Sequence, residues 1–193
     1  MMFAPDLLKG RVALITGGAG GIGFEISKTY ARLGAQVVLA SRSQERLDGA
    51  VAEMAAEGLT AIAFKTDVRN YDEVEATIEK TVEQLGSLDI LVNNAAGNFS
   101  CPTAELSPNG WRTVVDIDLN GTFYGCRAGY KHLKHSAHGG CIISIVTMLG
   151  LSGWPAAAHA AAAKAGIISL SRTLAVEWGG DNIRVNTISP GPI

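Results

Sequence analysis

Lys164 closes the run "AAAHAAAAKAG". One helical turn before it, where a proton donor would share its face, stands Ala160. A lysine brings positive charge and three N–H donors, so it suits a place where negative charge builds up. The second chemical group is Asp118, in "TVVDIDLNGTF". Val114 and Val115 precede it by four and three residues, and Gly121 and Thr122 follow by three and four. Helical spacing therefore puts Asp118 on an apolar, small-residue stripe. A carboxylate there is costly unless it is paired. Paired with Lys164, it would be either a structural ion pair or a grip on a water that moves a proton. Asp116 falls on another face, where Arg112 can pair with it in solvent. His159 is five residues from Lys164, points away from the lysine's face, and reads as a half-exposed helix residue.

A third feature is "TGGAGGIG", residues 16–23. Gly17, Gly21 and Gly23 suit a tight turn, close backbone approach and close helix packing. Gly18, Gly20 and Gly23 also satisfy G-x-G-x-x-G, and Ile22 lies within the same turn. Both assignments describe a pyrophosphate held by the N–H groups and positive dipole of a helix N-terminus. Further on, "ASRS" puts Ser41 and Arg42 where an NAD site usually carries a carboxylate. A guanidinium suits a 2′-phosphate, so the expected cofactor is NADP(H); a plain surface arginine is the alternative.

These groups need a scaffold, and the hydrophobic periodicity supplies one. Short apolar runs ("RVALIT", "QVVLAS", "LTAIAFKTDV", "LDILVNNAAG", "GCIISIV", "IRVNTISPG") alternate with helical patterns. The first helix sets Ile22, Ile26, Tyr30 and Leu33 on one face, the second stops at Gly58, and the third spans about Tyr71 to Leu85. A long helix runs roughly from Pro108 to Lys134, and another from Ala156 to Trp178. Non-alternating β-branched strands suit burial on both faces. The expected fold is α/β, a Rossmann-like doubly wound parallel sheet with helices on both faces. Ligands bind such sheets at the carboxyl ends of the strands, where Asp118 and Lys164 would converge.

The 193 residues fit a single domain, 1–193, and no linker, repeat or low-complexity segment interrupts them. With 47% apolar residues, 18% charged residues and a net charge of −2, the chain is globular and has no basic stripe for nucleic acid or anionic membrane. Cys101, Cys126 and Cys141 have neither metal-ligand nor disulfide-framework spacing and read as free thiols. No segment reads as a signal core or a membrane span. A soluble intracellular protein is expected, cytoplasmic if bacterial and peroxisomal if eukaryotic.

"TGGAGGIG", "DV" at Asp67–Val68, "NNAAG" at Asn93–Gly97, Lys164 and "SPGPI" resemble the short-chain dehydrogenase/reductase superfamily, in order and over nearly the whole chain. The resemblance implies that Asp67 and Val68 hold the adenine and that Asn94 and Ala95 line the cofactor groove. It also implies that Lys164 bonds the nicotinamide ribose and that Pro190 and Gly191 wall the nicotinamide. In that superfamily a tyrosine four residues before the lysine exchanges the proton, a serine orients the oxygen and an asparagine supports a water. Here those positions hold Ala160, Thr147 and Asp118.

The departures, with "CP" near "AAGNF", the H-A-x-x-A-K helix, "LAVEWG" and "PGPI", resemble peroxisomal-type 2,4-dienoyl-CoA reductases. That resemblance implies NADPH reduction of a dienoyl thioester to a 3-enoyl-CoA in unsaturated fatty acid β-oxidation. Asp118 and Lys164 would be catalytic and hold the water that donates the proton. Arg69, Asn98, Phe99, Ser107, Pro108, Asn109 and Thr147 would contact the acyl-CoA. Trp154 could cap the pocket, but a packing role suits it better; Tyr124 and Tyr130 read as packing or interface residues. The long helix and the Ala-rich helix would form a homo-oligomer interface, dimer or tetramer. Proteins of this kind continue past "SPGPI", so the domain is expected to be C-terminally incomplete, lacking a seventh strand and a substrate lid. Two rivals stay open: an alcohol–ketone oxidoreductase, against which Ala160 argues, and an NADP(H)-binding protein without catalysis.

Overall fold

A computed structural model describes residues 3–191. Its six strands are β1 (Val12–Thr16), β2 (Gln36–Ser41), β3 (Ala61–Lys65), β4 (Ile90–Asn93), β5 (Gly140–Ile145) and β6 (Ile183–Ile188). The helices are α1 (Gly21–Arg32), α2 (Gln44–Ala56), α3 (Tyr71–Leu85), α4 (Pro108–Val115), α5 (Gly121–Leu133), α6 (Leu149–Ser152) and α7 (Ala158–Trp178). All strand pairs are parallel, in the order β3-β2-β1-β4-β5-β6. The order reverses between β1 and β4, and the crevice at that switch point is where such sheets take ligands.

Alternate strand residues feed two cores. Leu14, Val38, Leu91 and Ile142 pack with Val74, Ile78, Leu133 and Leu174. Ala13, Ile15, Val37, Leu39 and Val92 pack with Phe24, Leu47 and Met54. Central strands β1 and β4 are buried on both faces, as expected. The two strands at the ends of this order differ: β3 is half-buried, and β6 alternates because one of its faces is left open among the described residues. In α1 the buried residues are Gly23, Phe24, Ser27 and Lys28, while Ile22, Ile26 and Tyr30 lie on its half-buried flank. Small Gly23 and Ser27 let the helix press on the sheet, which rotates the contact face away from the larger side chains. Lys28 is buried only because Glu25 and Glu53 take its ammonium, at 3.0 and 3.2 Å.

The long helix is continuous, yet it is not one α-helix. Residues Asp116–Asn120 form a π turn between α4 and α5. Its C-terminal part packs on α3, and α4 packs on α7. Ala156 is in the left-handed region (φ 58°), so α7 starts at Ala158, two residues later than the alanine run implies. Pro192 and Ile193, the end of "SPGPI", lie outside the described residues. Among the described residues no helix is long and apolar enough to cross a membrane.

Buried Asp89 ties the amino ends of the sheet together. Its carboxylate accepts from Val12 N and Ser87 Oγ, both at 2.8 Å, and from Ser136 Oγ. Asp89→Ala leaves a strand N–H without a partner, so it is expected to cost roughly 2–3 kcal/mol, read as a lower urea midpoint with an unchanged m-value.

Candidate active site

The cofactor-sized feature is a cleft of about 340 Å³ at the switch point, lined by Gly17, Ala19, Gly20, Gly21, Ser41, Arg42, Arg46, Thr66, Val68, Asn94, Ala95 and Ile117 among others. Gly17 has φ 66°, which favours glycine. A Cβ on Gly23 would lie 2.5 Å from Gly17 O, so this glycine is fixed by helix–turn contact. A Cβ on Gly20 or Gly21 would meet nothing within 4 Å, and both residues face the open cleft. Gly18 packs inward, where a Cβ would meet Ile15 O at 2.9 Å. Both glycine patterns thus contribute, with different duties at each position. Among the described residues no side chain caps α1, so its first N–H groups stay available to an anion.

Asn94 staples this turn to β4. Its Nδ2 donates to Thr16 O at 3.0 Å and to Gly17 O at 3.3 Å. Thr16 Oγ1 in turn accepts from the N–H groups of Asn94 and Ala95. Arg42 is joined in the cleft lining by Arg46, in the first turn of α2. Arg46 was not foreseen from the sequence, although it stands only four positions after Arg42.

Val68 lines the cleft and Asp67 does not. Asp67 accepts from Arg69 Nε at 3.0 Å and from Arg69 N at 3.0 Å. The Arg69 guanidinium beside Asp67 holds its carboxyl below the usual carboxylate range. Arg69 is thereby folded back on its own turn, with its exposed part on the rim.

A second cleft of about 210 Å³ adjoins the first through Asn94 and Ala96. Ile22, Ile145, Val146, Thr147, Lys164, Pro190 and Gly191 complete its lining. Lys164 Nζ lies 3.1 Å from Asp118 Oδ2 and donates to Ile145 O at 3.1 Å. Asp118 Oδ1 accepts from Gly97 N at 2.8 Å. Both side chains are buried, at 2% exposure for Asp118 and 8% for Lys164. Two of the three ammonium donors are engaged, which leaves one for the cleft. Gly97 belongs to the "NNAAG" motif, but its N–H was not foreseen as the carboxylate's second partner.

The stripe read for Asp118 is real, with Val114, Gly121 and Thr122 buried on it. It runs through the π turn, where Ile117 and Asp118 are both buried. Such single π turns often sit at functional sites. Asp116 is half-buried and accepts from Asn120 Nδ2 at 2.7 Å; among the described residues it has no ion pair with Arg112.

Ala160 is buried and brings no hydroxyl. His159 is not half-exposed: it is fully buried beneath the ring of Phe99, their centroids 4.5 Å apart. Trp154 is 66% exposed and packs as neither core nor cap. Asn98, Phe99, Ser107, Pro108 and Asn109 line neither cleft; they belong to the β4–α4 loop and the start of α4. Ser107 Oγ is spent on capping α4, accepting from Gly110 N at 3.0 Å. Tyr130 donates to Asp181 and stacks on Trp178, and Tyr124 meets Tyr71 edge to face, so both tyrosines pack as expected. Burial pushes the Cys126 thiol up to about 12, so it stays protonated.

The ion pair has a thermodynamic signature. Asp118→Ala strands a buried ammonium and is expected to cost about 3–5 kcal/mol. Asp118→Asn combined with Lys164→Met should cost clearly less, because no lone charge remains. Chemical unfolding of the three proteins checks the order.

The profile of short chain dehydrogenases matches residues 11–193. A (3E)-enoyl-CoA-producing peroxisomal 2,4-dienoyl-CoA reductase of Arabidopsis thaliana is 46% identical over 199 residues, covering 99% of this chain and 67% of its own length. A probable (2E)-enoyl-CoA-producing 2,4-dienoyl-CoA reductase of Bacillus subtilis is 42% identical, covering 95% of this chain and 72% of its own. Among solved structures, a short chain dehydrogenase from Bacillus anthracis superposes with a TM-score of 0.91 at 44% identity, covering 96% of this chain and 75% of that one. The chain spans about two thirds of the length of the peroxisomal relatives it matches. On a profile match that runs through every strand of the sheet, the chain belongs to the short chain dehydrogenase family.

Proposed function

We propose that this protein reduces a 2,4-dienoyl-CoA with NADPH to a 3-enoyl-CoA. The observation that carries the reading is the buried Asp118–Lys164 pair beside a cleft from which the usual acid is missing, because Ala160 stands in its place. The names of the relatives favour the same reaction class.

NADP(H) fits the larger cleft on its own features. The glycine-lined N-terminus of α1 suits a pyrophosphate, and Arg42 with Arg46 suits a 2′-phosphate. Among the described residues no carboxylate lines that cleft to repel it. When bound, the cofactor would supply the hydride.

The chain's own residues answer for the proton and the charge. Hydride at the far end of the diene leaves negative charge on the thioester oxygen and needs a proton on the carbon next to the carbonyl. The electron pair between those ends becomes the new C3–C4 double bond. A tyrosine placed for carbinol chemistry is dispensable there. The free donor of Lys164 and the carboxylate of Asp118 hold a water that delivers the proton. Thr147, which lines the same cleft, orients the oxygen. A preorganised cation where charge accumulates contributes about 3–4 kcal/mol, and a placed proton donor about 10²–10⁴-fold. Arg69, Asn98, Phe99, Ser107, Pro108 and Asn109 serve the acyl-CoA. The outer faces of α5 and α7 leave Phe123 and Val176 exposed, and Phe123 lines a groove of about 230 Å³ between these helices, which favours self-association there.

The decisive assay follows NADPH oxidation with 2,4-hexadienoyl-CoA and locates the product double bond by NMR. A 3-enoyl product is expected; turnover of ketones but not of this thioester would sink the reading. Asp118→Asn and Lys164→Met should stay folded by circular dichroism and lose at least about 10²-fold in kcat. Ser41→Asp sets a carboxylate against the 2′-phosphate, so the ratio of kcat/KM for NADPH to that for NADH should fall; an unchanged ratio counts against the cofactor assignment.

A further inference from the structure

Phe99 is wedged between two helices. Its ring meets the imidazole of His159 on α7 edge to face, with centroids 4.5 Å apart and planes crossing at 73°. On the α4 side, a Cβ on Gly110 would lie 2.9 Å from Phe99 Cζ, so only glycine leaves the ring where it is. The backbone around it is pinned at both ends. Gly97 N donates to Asp118 at 2.8 Å, and Cys101 N donates to Ala156 O at 2.9 Å. Phe99 sits two residues from each anchor, with 43% of its surface still exposed.

His159 is an expensive way to fill space. It is fully buried, and its Nδ1 accepts from Ala160 N at 2.8 Å. That bond assigns the proton to Nε2, which has no oxygen or nitrogen partner among the described residues. An apolar side chain of similar size would avoid an unpaired buried donor. The aromatic ring beside it is the acceptor at hand.

We infer that His159 is a positioning residue. With Gly110 it fixes the ring of Phe99 as one wall of the acyl path, next to the Asp118 carboxylate that the same loop holds, and so sets how tightly the acyl chain is gripped. The inference rests on the dienoyl-CoA reading. His159 acts through Phe99 and touches no reacting atom.

Double-variant kinetics with 2,4-hexadienoyl-CoA test it. His159→Leu and Gly110→Ala should each raise KM for the thioester about 3- to 10-fold, the range of one aromatic contact, and leave KM for NADPH unchanged. His159→Gln keeps an N–H donor at similar reach and should recover most of the loss. In a Phe99→Ala background, His159→Leu should not raise KM further, since the group it acts through is gone. Additive effects in that background overturn the inference. So does a folded His159→Leu with wild-type KM, whether or not its melting temperature falls. A wild type that does not turn over the thioester sinks the reaction and this inference together; an active wild type with additive variants sinks the inference alone.

Discussion

A lysine and an aspartate that meet out of water hold this site together. Each would be costly to bury alone, and together they lose less only because further bonds complete them. Asp118 spends one oxygen on Lys164 and the other on Gly97 N. Lys164 takes Ile145 O as a second partner. Two of these partners are backbone groups, one after β4 and one at the end of β5. The pair therefore clamps two sheet ends as well as two helices, and the opening to the smaller cleft is set by how those four pieces meet.

A π turn carries the aspartate to this meeting. Within it Ile117 and Asp118 are both buried, the isoleucine against the cofactor cleft and the aspartate toward α7. Thr122 Oγ1 donates to the carbonyl of Asp118 at 2.6 Å, which supports the widened turn from the next one. Gly121 belongs to the same solution, since a Cβ there would meet Val68 at 3.0 Å. The cleft wall at Val68 and Ile117 and the Asp118–Lys164 ion pair are thus parts of one packing arrangement. Above β1, Asn94 performs the matching task and locks the glycine turn to the loop that ends at Gly97.

The order of strands and helices was legible because hydrophobic spacing records burial locally. So was the glycine turn, where a missing side chain is itself the message, and so were the residue types at Asp118, Ala160 and Lys164. The chain's own pattern also put Asp118 on a buried stripe, although through an ideal helix and not through the π turn that exists. What spacing cannot encode is the partner that arrives from elsewhere in the chain. Asp118 takes Gly97 N, and Phe99 covers His159. Trp154, read as packing, is mostly exposed.

The sequence by itself determined the α/β scaffold, the site of the dinucleotide turn and the absence of an acid one turn before Lys164, because each is written in residues that lie within a few positions of one another. Tertiary structure alone decided that the carboxylate of Asp118 reaches Lys164 and Gly97, that Lys164 also takes Ile145 O, and that the ring of Phe99 lies on His159. Those outcomes depend on distances across the sheet and between helices, and a polar group's choice of partner is settled by what burial brings within about 3 Å of it.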